Sequence, residues 1–415
     1  MGTGNPGREK NQEIKQRTVR MALQQPQGGP LHGIVVADFS RVLAGPYATM
    51  LLADLGATVI KVEGPTGDDT RQWVPPKRGD VGTYYLSINR NKNSIKLDLK
   101  NPDDLETAYA IIDRADVLID NFRVGSLDKF GLDPESVEKR WPDLIHAKIT
   151  GFGSRAGAQL PGYDMLIQAS SGFMSITGSP DGPPQKAGYA FIDVLTGLHT
   201  AVGILASLLR RERFGGGGET IRTNLLSAAL SSMVNMTSAA VASDAEMTRT
   251  GNDHPSIFPY GPFPAKDREL VIAVGNNKQF AVFAEGLGAP ELIDDPRFAT
   301  NEQRNTNRET LRPILHDLLA AKNAQEWIDL FRTKGLPIAP ILTVREAVHF
   351  ADDLGLEPIV RIRTKDGTDE IPFVSNPLDM SSGAIQYTKA APGLDEDRDD
   401  VLEWIATTPA KTSTE

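Results

Sequence analysis

An α/β fold built on a parallel sheet is predicted by the pattern that begins after Pro30, where short β-branched runs alternate with helical stretches. Strand Ile34–Phe39, a helix that Pro46 begins and strand Thr58–Glu63 form one complete βαβ unit. Further elements are predicted in the same alternation: helix Asp103–Ala115, strand Val117–Asn121, helix Pro134–Arg140 and strand Leu144–Thr150. This part of the chain is therefore predicted to be Rossmann-like.

Shifts in composition predict the domain boundaries. Residues 1–30 are rich in Gly, Gln, Lys and Arg and have no apolar core, which predicts a disordered extension. A stretch rich in Pro and aromatic residues begins at Asp253, so a large domain is expected over 31–250 and a smaller α+β domain over 251–348. Residues 349–415 are too few to form their own core and are expected to return to the large domain.

Composition excludes several classes of protein. The chain has 415 residues and a formal net charge of −10, which argues against general attraction to nucleic acid or to anionic membranes. Its longest apolar runs are shorter than the roughly 20 residues that span a bilayer, so no membrane-spanning segment is expected. The absence of cysteine excludes disulfides and thiolate chemistry and is typical of a cytoplasmic protein.

Common cofactor and catalytic motifs are missing. The loop Ser40–Pro46 lacks the G-x-G-x-x-G fingerprint, and Leu43 would obstruct the close approach of a pyrophosphate, which disfavours an NAD-dependent dehydrogenase. The six histidines are scattered without metal-binding spacing, so no metal site is predicted. No serine lies in a G-x-S-x-G elbow, which disfavours a hydrolase.

A basic cluster is the first candidate binding feature. Some of its members lie near predicted strand ends, where open α/β sheets bind ligands, and a phosphorylated cofactor would fit there. A solvated basic surface is the alternative. The cluster consists of Arg71, Lys92, Lys96, Lys100, Arg123 and Lys129.

Asp193 is the candidate catalytic residue. It interrupts an apolar segment at the predicted start of a long helix that runs to about Glu212. An ordinary N-cap is one interpretation, and a nucleophile is the other, because a helix N-terminus is expected to keep the carboxylate ionised at neutral pH. Gly197 and Gly203 inside this helix predict close packing against another backbone.

The sequence resembles the family III CoA-transferases, which include formyl-CoA transferase and carnitine CoA-transferase and to which alpha-methylacyl-CoA racemase is related. The resemblance runs from about Leu31 to Val348 and more weakly to Ala406. The motifs that carry it are Asp38–Ser40, Ala44–Pro46, Asp54–Ala57, Val59–Glu63, Asn91–Ile95, Leu97–Leu99, Ala115–Leu118, Asn121–Arg123, Gly162–Asp164, Gln168–Ala169, Thr177–Gly178 and Asp181–Pro184.

This resemblance implies a Rossmann-like large domain built from N- and C-terminal segments, a smaller α+β domain, and an interlocked homodimer. It also implies an acyl-CoA:carboxylate CoA-transferase with Asp193 as the nucleophile, no permanently bound cofactor, and a CoA thioester and a small carboxylic acid as substrates. In this family the positions that bind CoA correspond to Val42, Leu43, Ala44, Leu97, Lys100, Asn121, Phe122, Arg123, Lys129, Gly162, Tyr163 and Asp164. To these we add Lys92 from the basic cluster and Arg71, which would replace a family phosphate contact that is Gly64 here.

Departures from the family narrow the expected activity. Tyr163 stands where the racemase has a catalytic histidine, which favours transfer over racemisation. Pro259–Pro264 replaces the glycine-rich loop of formyl-CoA transferase, which disfavours formate or oxalate as a substrate. Val274–Phe280 is similar to the corresponding stretch of dicarboxylate-handling members. A racemase, an NAD-dependent dehydrogenase and a non-catalytic CoA-binding protein remain the alternatives.

Overall fold

The computed structural model describes Leu23 and residues 28–243, 246–254 and 256–411. Two compact units are formed, and each contains segments from separate parts of the chain. The first includes the chain up to Ser171, Ala187–Thr237 and the chain from Glu357 onwards, and the second comprises Gly172–Lys186 and Ser238–Leu356.

The centre of the first unit is a six-stranded parallel sheet. Its strands and a short β3–β4 hairpin are β1 (Val35–Asp38), β2 (Thr58–Glu63), β3 (Lys77–Arg78), β4 (Val81–Gly82), β5 (Lys92–Lys96), β6 (Val117–Asp120), β7 (Ile145–Thr150) and β8 (Glu219–Asn224). The sheet order is β5-β2-β1-β6-β7-β8, and all of these pairs are parallel. Counted along the chain, this is the 3-2-1-4-5-6 order of doubly wound sheets, so the winding reverses between β1 and β6.

Helices cover both faces of this sheet. They are α1 (Ala44–Asp54), α2 (Thr83–Ser87), α3 (Pro102–Ile112), α4 (Pro134–Arg140), α5 (Asp164–Ser170), α6 (Phe191–Phe214) and α7 (Leu225–Ser232). Alternate residues of each strand point to opposite faces, so Val35 and Ala37 enter one hydrophobic core while Val36 enters the other. Buried residues of α3 and α4 belong to the first core, and those of α1, α6 and α7 to the second.

The second unit is α+β. Helix α8 (Asn235–Ala242) follows α7 in the chain, and the unit boundary falls inside it, after Thr237. The antiparallel sheet of the second unit contains β9 (Tyr260–Pro264), β10 (Glu269–Ala273) and β11 (Ile338–Pro340). Its remaining helices are α9 (Asn277–Leu287), α10 (Glu291–Asp294), α11 (Asn301–Thr306), α12 (Arg308–Leu319), α13 (Ala324–Thr333) and α14 (Val344–Asp353). Buried Phe283 and Trp327 both pack against the Phe331 ring, with centroids 5.2 and 5.6 Å away.

The C-terminal segment lies on the sheet of the first unit. It contains a hairpin of β12 (Ile359–Arg363) and β13 (Glu370–Val374), and it ends in α15 (Arg398–Thr407). The backbone amide of Ser94 in β5 donates to the carboxylate of Asp397 over 2.9 Å, and Trp404 enters the core beside α3. This segment therefore closes the sheet edge formed by β5.

Several predicted elements and boundaries were wrong. Strand β8 was missed, because it follows the glycine run Gly215–Gly218 and has no apolar alternation. The stretch Leu225–Ala242 was predicted as one helix, but it is broken into α7 and α8 near Val234, whose φ is +39°. Gly172–Lys186 was placed in the large domain, yet it belongs to the second unit.

The predicted extension, residues 1–30, lies outside the described residues apart from Leu23 and residues 28–30, and Leu23 is buried in the first core.

Helix α6 is long and apolar enough to cross a membrane by length and composition, and so is the bent α7–α8 pair if it is counted as one span. Because α6 packs against α1, α7, β7 and β8, its apolar character is also explained by its place in a protein core.

Candidate active site

A cleft of about 570 Å³ lies at the carboxyl ends of the central strands. It is bounded by the loops that follow β1, β6 and β7 and by the first turn of α6. Because the winding of the sheet reverses between β1 and β6, their following loops diverge and leave a crevice, which is where doubly wound folds bind ligands. The predicted site residues that line it are Val42, Leu43, Ala44, Asn121, Phe122, Arg123, Gly162, Tyr163 and Asp193.

The loops after β1 and β6 are tied together at the cleft. The Arg41 amide donates to the Asn121 side-chain oxygen over 2.9 Å, and the Asn121 side-chain nitrogen donates back to the Arg41 carbonyl over 2.7 Å. The Arg41 guanidinium lies over the Phe122 ring, 5.7 Å from its centroid, and pairs with Asp69. Asn121 therefore fixes the backbone of the first loop.

Close backbone packing brings α6 to this loop. A Cβ atom on Gly197 would come within 2.6 Å of the Ala44 carbonyl oxygen, so only glycine lets α6 approach the start of α1 this closely. The prediction of close packing is confirmed for Gly197. Gly151 and Gly162 make a second such contact, because a Cβ on Gly151 would lie 2.3 Å from the Gly162 Cα. Ala44, Gly151 and Gly162 all line the cleft, so both close contacts lie at its wall.

Asp193 lies in the first turn of α6, and its half-buried side chain lines the cleft. Within the described part of the chain, no donor makes a hydrogen bond to its carboxylate. Burial and, second, the negative charge of Asp164 raise the pKa of Asp193 to about 7. This direction is opposite to the expectation that the helix N-terminus keeps the carboxylate ionised at neutral pH. The N-cap interpretation is wrong, because the helix begins at Phe191 and its N-cap is Ala190.

Asp164 supplies the contacts that the N-cap interpretation gave to Asp193. One of its carboxylate oxygens accepts from the backbone amides of Ile192 and Asp193, over 2.9 and 3.2 Å. The other accepts from the side-chain amide of Gln168. The prediction of Asp164 as a CoA contact is not supported, because its side chain is buried and its oxygens are engaged with α6 and Gln168.

Three other predicted CoA contacts lie in the protein interior. The Lys92 ammonium is fully buried and pairs with Asp38 over 3.1 Å. Arg71 is 6% exposed, and its guanidinium makes a two-point contact with Glu63, at 2.8 and 2.7 Å. Leu97 is 1% exposed and belongs to the first core. The predicted binding roles of these three side chains are wrong, because they have no access to a ligand.

Lys100 and Lys129 are exposed but do not line the cleft, and their roles stay predictions. Sequence reasoning missed other residues that do line it. Trp73 is 42% exposed and packs edge-on against Tyr84, with the ring centroids 5.3 Å apart. The remaining missed residues that line the cleft are Arg41, Asp69, Val124, Ile149, Thr150, Gly151, Phe152, Gly153, Gly157, Ala158, Leu160, Pro161 and Leu225. Two of these could have been predicted as lining residues. Gly151–Gly153 directly follows predicted strand Leu144–Thr150, and Arg41 lies in the loop after predicted strand Ile34–Phe39.

A doubly wound α/β fold with a ligand cleft where the strand order reverses, and with an unpaired carboxylate in that cleft, is typical of enzymes that bind their ligand at this position. These features alone do not identify the reaction. The family model described as CoA-transferase family III matches residues 31–398. The chain belongs to this family and is an enzyme of the CoA-transferase class.

Characterised relatives and a solved structure match most of the chain. Succinate–glutarate CoA-transferase of Agrobacterium fabrum strain C58 is 40% identical over 390 residues, covering 91% of this chain and 96% of that protein. Acetyl-CoA:oxalate CoA-transferase of Acetobacter aceti is 37% identical, covering 89% and 94%. The crystal structure of a CAIB/BAIF family protein from Brucella suis has a TM-score of 0.83 and 36% identity, covering 91% and 100%.

Proposed function

We propose that this enzyme transfers CoA from an acyl-CoA donor to a small carboxylic acid through an aspartyl-CoA thioester on Asp193. The observation that carries the proposal is the Asp193 carboxylate, which lacks a hydrogen-bond donor among the described residues and lines the cleft at the carboxyl ends of the strands. A carboxylate without a competing partner retains its nucleophilicity. Its raised pKa also makes it more basic than an ordinary aspartate.

The reaction needs four acyl-transfer steps. The Asp193 carboxylate attacks the thioester carbonyl of the donor, which gives a mixed anhydride and releases CoA thiolate. The thiolate attacks the aspartyl carbonyl of the anhydride, which forms the aspartyl-CoA thioester and releases the donor acid. The acceptor carboxylate then attacks this thioester, again giving an anhydride and CoA thiolate. Attack of the thiolate on the acceptor carbonyl forms the new acyl-CoA and restores Asp193.

The lining of the cleft suits a CoA ester. Val42, Leu43 and Ala44 would contact its pantetheine chain, and Phe122 and Tyr163 offer aromatic surface. Arg41 and Arg123 are the cations that line the cleft, and guanidinium groups match phosphate geometry. In a chain with a net charge of −10, Arg123 supplies the local attraction for an anionic substrate, because the charge of Arg41 is already paired with Asp69.

A dicarboxylic acid is the proposed acceptor. The Agrobacterium relative is named for succinate and glutarate, and the predicted similarity of Val274–Phe280 to dicarboxylate-handling enzymes agrees with that assignment. The Acetobacter relative is named for oxalate, so oxalate belongs in the same set of test acids although Pro259–Pro264 disfavoured it.

The homodimer is also a proposal. Helix α6 exposes a row of apolar side chains at helical spacing: Leu198 is 39% exposed, Val202 64% and Leu209 51%. Such a row on a water-soluble surface is typical of an interface between chains. A second copy of this chain is the partner that the family resemblance implies.

The test is to trap the covalent intermediate. Incubation with succinyl-CoA and no acceptor should load part of the protein as an aspartyl-CoA thioester, which hydroxylamine cleaves and borohydride reduces. Peptide mass spectrometry should place the change at Asp193, and Asp193→Ala should abolish it. The exposed Glu212 on the same helix provides a control variant, Glu212→Gln, that should still be labelled.

Three outcomes would contradict the proposal. Catalytic turnover by the Asp193→Ala variant would show that Asp193 is not the nucleophile. Exchange of the α-proton of a 2-methylacyl-CoA, with no protein adduct when a transferable donor is present, would indicate a racemase and direct attention to Tyr163. CoA binding without any turnover of a broad set of acids would indicate a non-catalytic homologue.

A further inference from the structure

Two buried ion pairs lie beneath the loop that follows β1. Lys61 Nζ lies 2.9 Å from Asp68 Oδ2, and Lys92 Nζ lies 3.1 Å from Asp38 Oδ2. All four side chains are at most 1% exposed. Because removing charges from water costs free energy that pairing often fails to offset, stability alone is a weak reason for such a network.

Both pairs hold the backbone of this loop. The Ser40 amide donates to Asp38 over 2.9 Å, and Lys61 donates to the Ser40 carbonyl over 3.0 Å. The Val42 amide donates to both Asp68 oxygens at 3.3 Å. Asp38 and Lys61 therefore bind the loop backbone at Ser40, and Asp68 binds it at Val42.

The charged states of Lys61 and Asp68 are maintained against burial. Burial disfavours the carboxylate of Asp68, but the charge and hydrogen bond of Lys61, together with two hydrogen bonds from Thr70, lower the pKa of Asp68. Burial likewise disfavours charged Lys61, yet Asp68 and Asp38 together raise its pKa. Asp68 therefore remains a charged acceptor for the Val42 amide.

Val42 has an unusual backbone conformation. Its φ is +69°, a left-handed value that β-branched residues strongly disfavour. Leu43 and Ala44 follow directly, both line the cleft, and α1 begins at Ala44. A change of φ at Val42 would therefore redirect the segment that the proposed function places against CoA.

We infer that Asp68, held by Lys61, is a positioning residue that keeps Val42 in its left-handed conformation and so shapes the cleft for coenzyme A. The inference rests on the proposed function, because it assumes that Val42–Ala44 contacts CoA. Asp68 itself does not line the cleft and does not touch the reacting atoms. Its loss should weaken CoA binding and leave turnover at saturating substrate largely intact, since Asp193 lies on a different element.

The test is a double-mutant cycle read by calorimetric titration with coenzyme A itself. Asp68→Asn should raise the Kd for CoA about tenfold, because the negative charge that accepts from the Val42 amide and pairs with Lys61 is replaced by a neutral, weaker acceptor. Glycine adopts positive φ without steric cost, so in the Val42→Gly background the same change should raise Kd by clearly less. Steady-state kinetics of Asp68→Asn should show a higher KM for the CoA ester with kcat retained.

Asp54→Asn is the matched control. Asp54 is also fully buried, and its Oδ2 pairs with Arg90 over 2.6 Å, but neither residue contacts the Ser40–Val42 loop or lines the cleft. This variant should lose thermal stability without a change in the Kd for CoA. If Asp68→Asn does not fold, Thr70→Val replaces it, since it removes only a 2.7 Å hydroxyl bond to Asp68 and should act in the same direction.

Two results would overturn the inference: equal weakening of CoA binding by Asp68→Asn and Asp54→Asn, or an undiminished effect of Asp68→Asn in the Val42→Gly background. Failure of the wild-type protein to bind CoA would instead contradict the proposed function. The two failures are thus distinguishable in one set of titrations.

Discussion

The carboxylate of Asp164 accepts hydrogen bonds from the backbone amide of Asp193, over 3.2 Å, and from that of the preceding residue. Asp164 thereby accepts hydrogen bonds from two amides at the start of α6, which an N-cap side chain would otherwise bind. Burial and, second, the negative charge of Asp164 raise the pKa of Asp193. One aspartate therefore fixes the backbone of the proposed nucleophile and increases its basicity.

The first prediction concerns pH. Because the pKa of Asp193 is about 7, kcat/KM for the CoA ester should rise with pH and level off above that value. Asp164→Asn removes the neighbouring negative charge, so the midpoint should move to lower pH. It should stay above the ordinary carboxyl value of about 4, because burial is the larger cause.

The pH profile of Glu212→Gln should match that of the wild type. An unchanged or higher midpoint in Asp164→Asn would show that Asp193 is not the group that titrates.

The second prediction concerns stability. The folded-state pKa of Asp193 is raised above its unfolded value, so stability falls as pH rises from about 4 to about 7 and then levels off. Asp193→Asn removes this penalty and should be more stable than the wild type at pH 8 by about 1 kcal/mol, allowing for partial exposure. Thermal melts should show the difference shrinking to nothing near pH 4. A lower melting temperature at pH 8 would mean that the carboxylate stabilises the fold.

Much of the fold could be predicted because it depends on local signals. Apolar periodicity and helix-breaking residues located β1, α1, β2 and α6 to within a few residues, and Gly197 indicated close packing before its contact with Ala44 was visible. Strand β8 could not be found this way, since it is paired only with β7 at a sheet edge and has no buried residue. Its place in the sheet comes from pairing partners that are distant in the chain.

The candidate site was predictable only in part. Asp193 was singled out because one charged residue interrupts an apolar segment, and its catalytic role stays a proposal. Lys92 was misassigned because a lysine in sequence gives no sign of its partner, and Asp38 lies 54 positions away in the chain. Charge pairing inside a core is a tertiary property, so spacing of basic residues along the chain could not separate Lys92 from exposed Arg123.

The third prediction separates these two cations. Arg123 lines the cleft, so Arg123→Ala should raise KM for the CoA ester several-fold with little loss of kcat, and the effect should shrink at high salt. The exposed Arg213 at the end of α6 gives a control variant, Arg213→Ala, whose KM should equal that of the wild type.

Lys92→Met should behave differently. It leaves the buried Asp38 carboxylate without its ion-pair partner, which costs about 3 kcal/mol and should lower the melting temperature. A wild-type KM in Arg123→Ala would show that Arg123 does not bind the CoA ester. A wild-type melting temperature in Lys92→Met would show that the buried ion pair does not stabilise the fold.

The last prediction concerns the apolar row on α6. Val202 is 64% exposed at the middle of this row, with Leu198 one turn before it and Leu209 two turns after it. If a second copy of the chain covers the row, Val202→Glu buries a charge at the interface without a partner, and light scattering after gel filtration should report monomer where the wild type is dimer. Glu212→Gln, on an exposed position of the same helix, should remain dimeric. A wild-type protein that is monomeric at micromolar concentration, or a Val202→Glu variant that stays dimeric, would place the interface elsewhere.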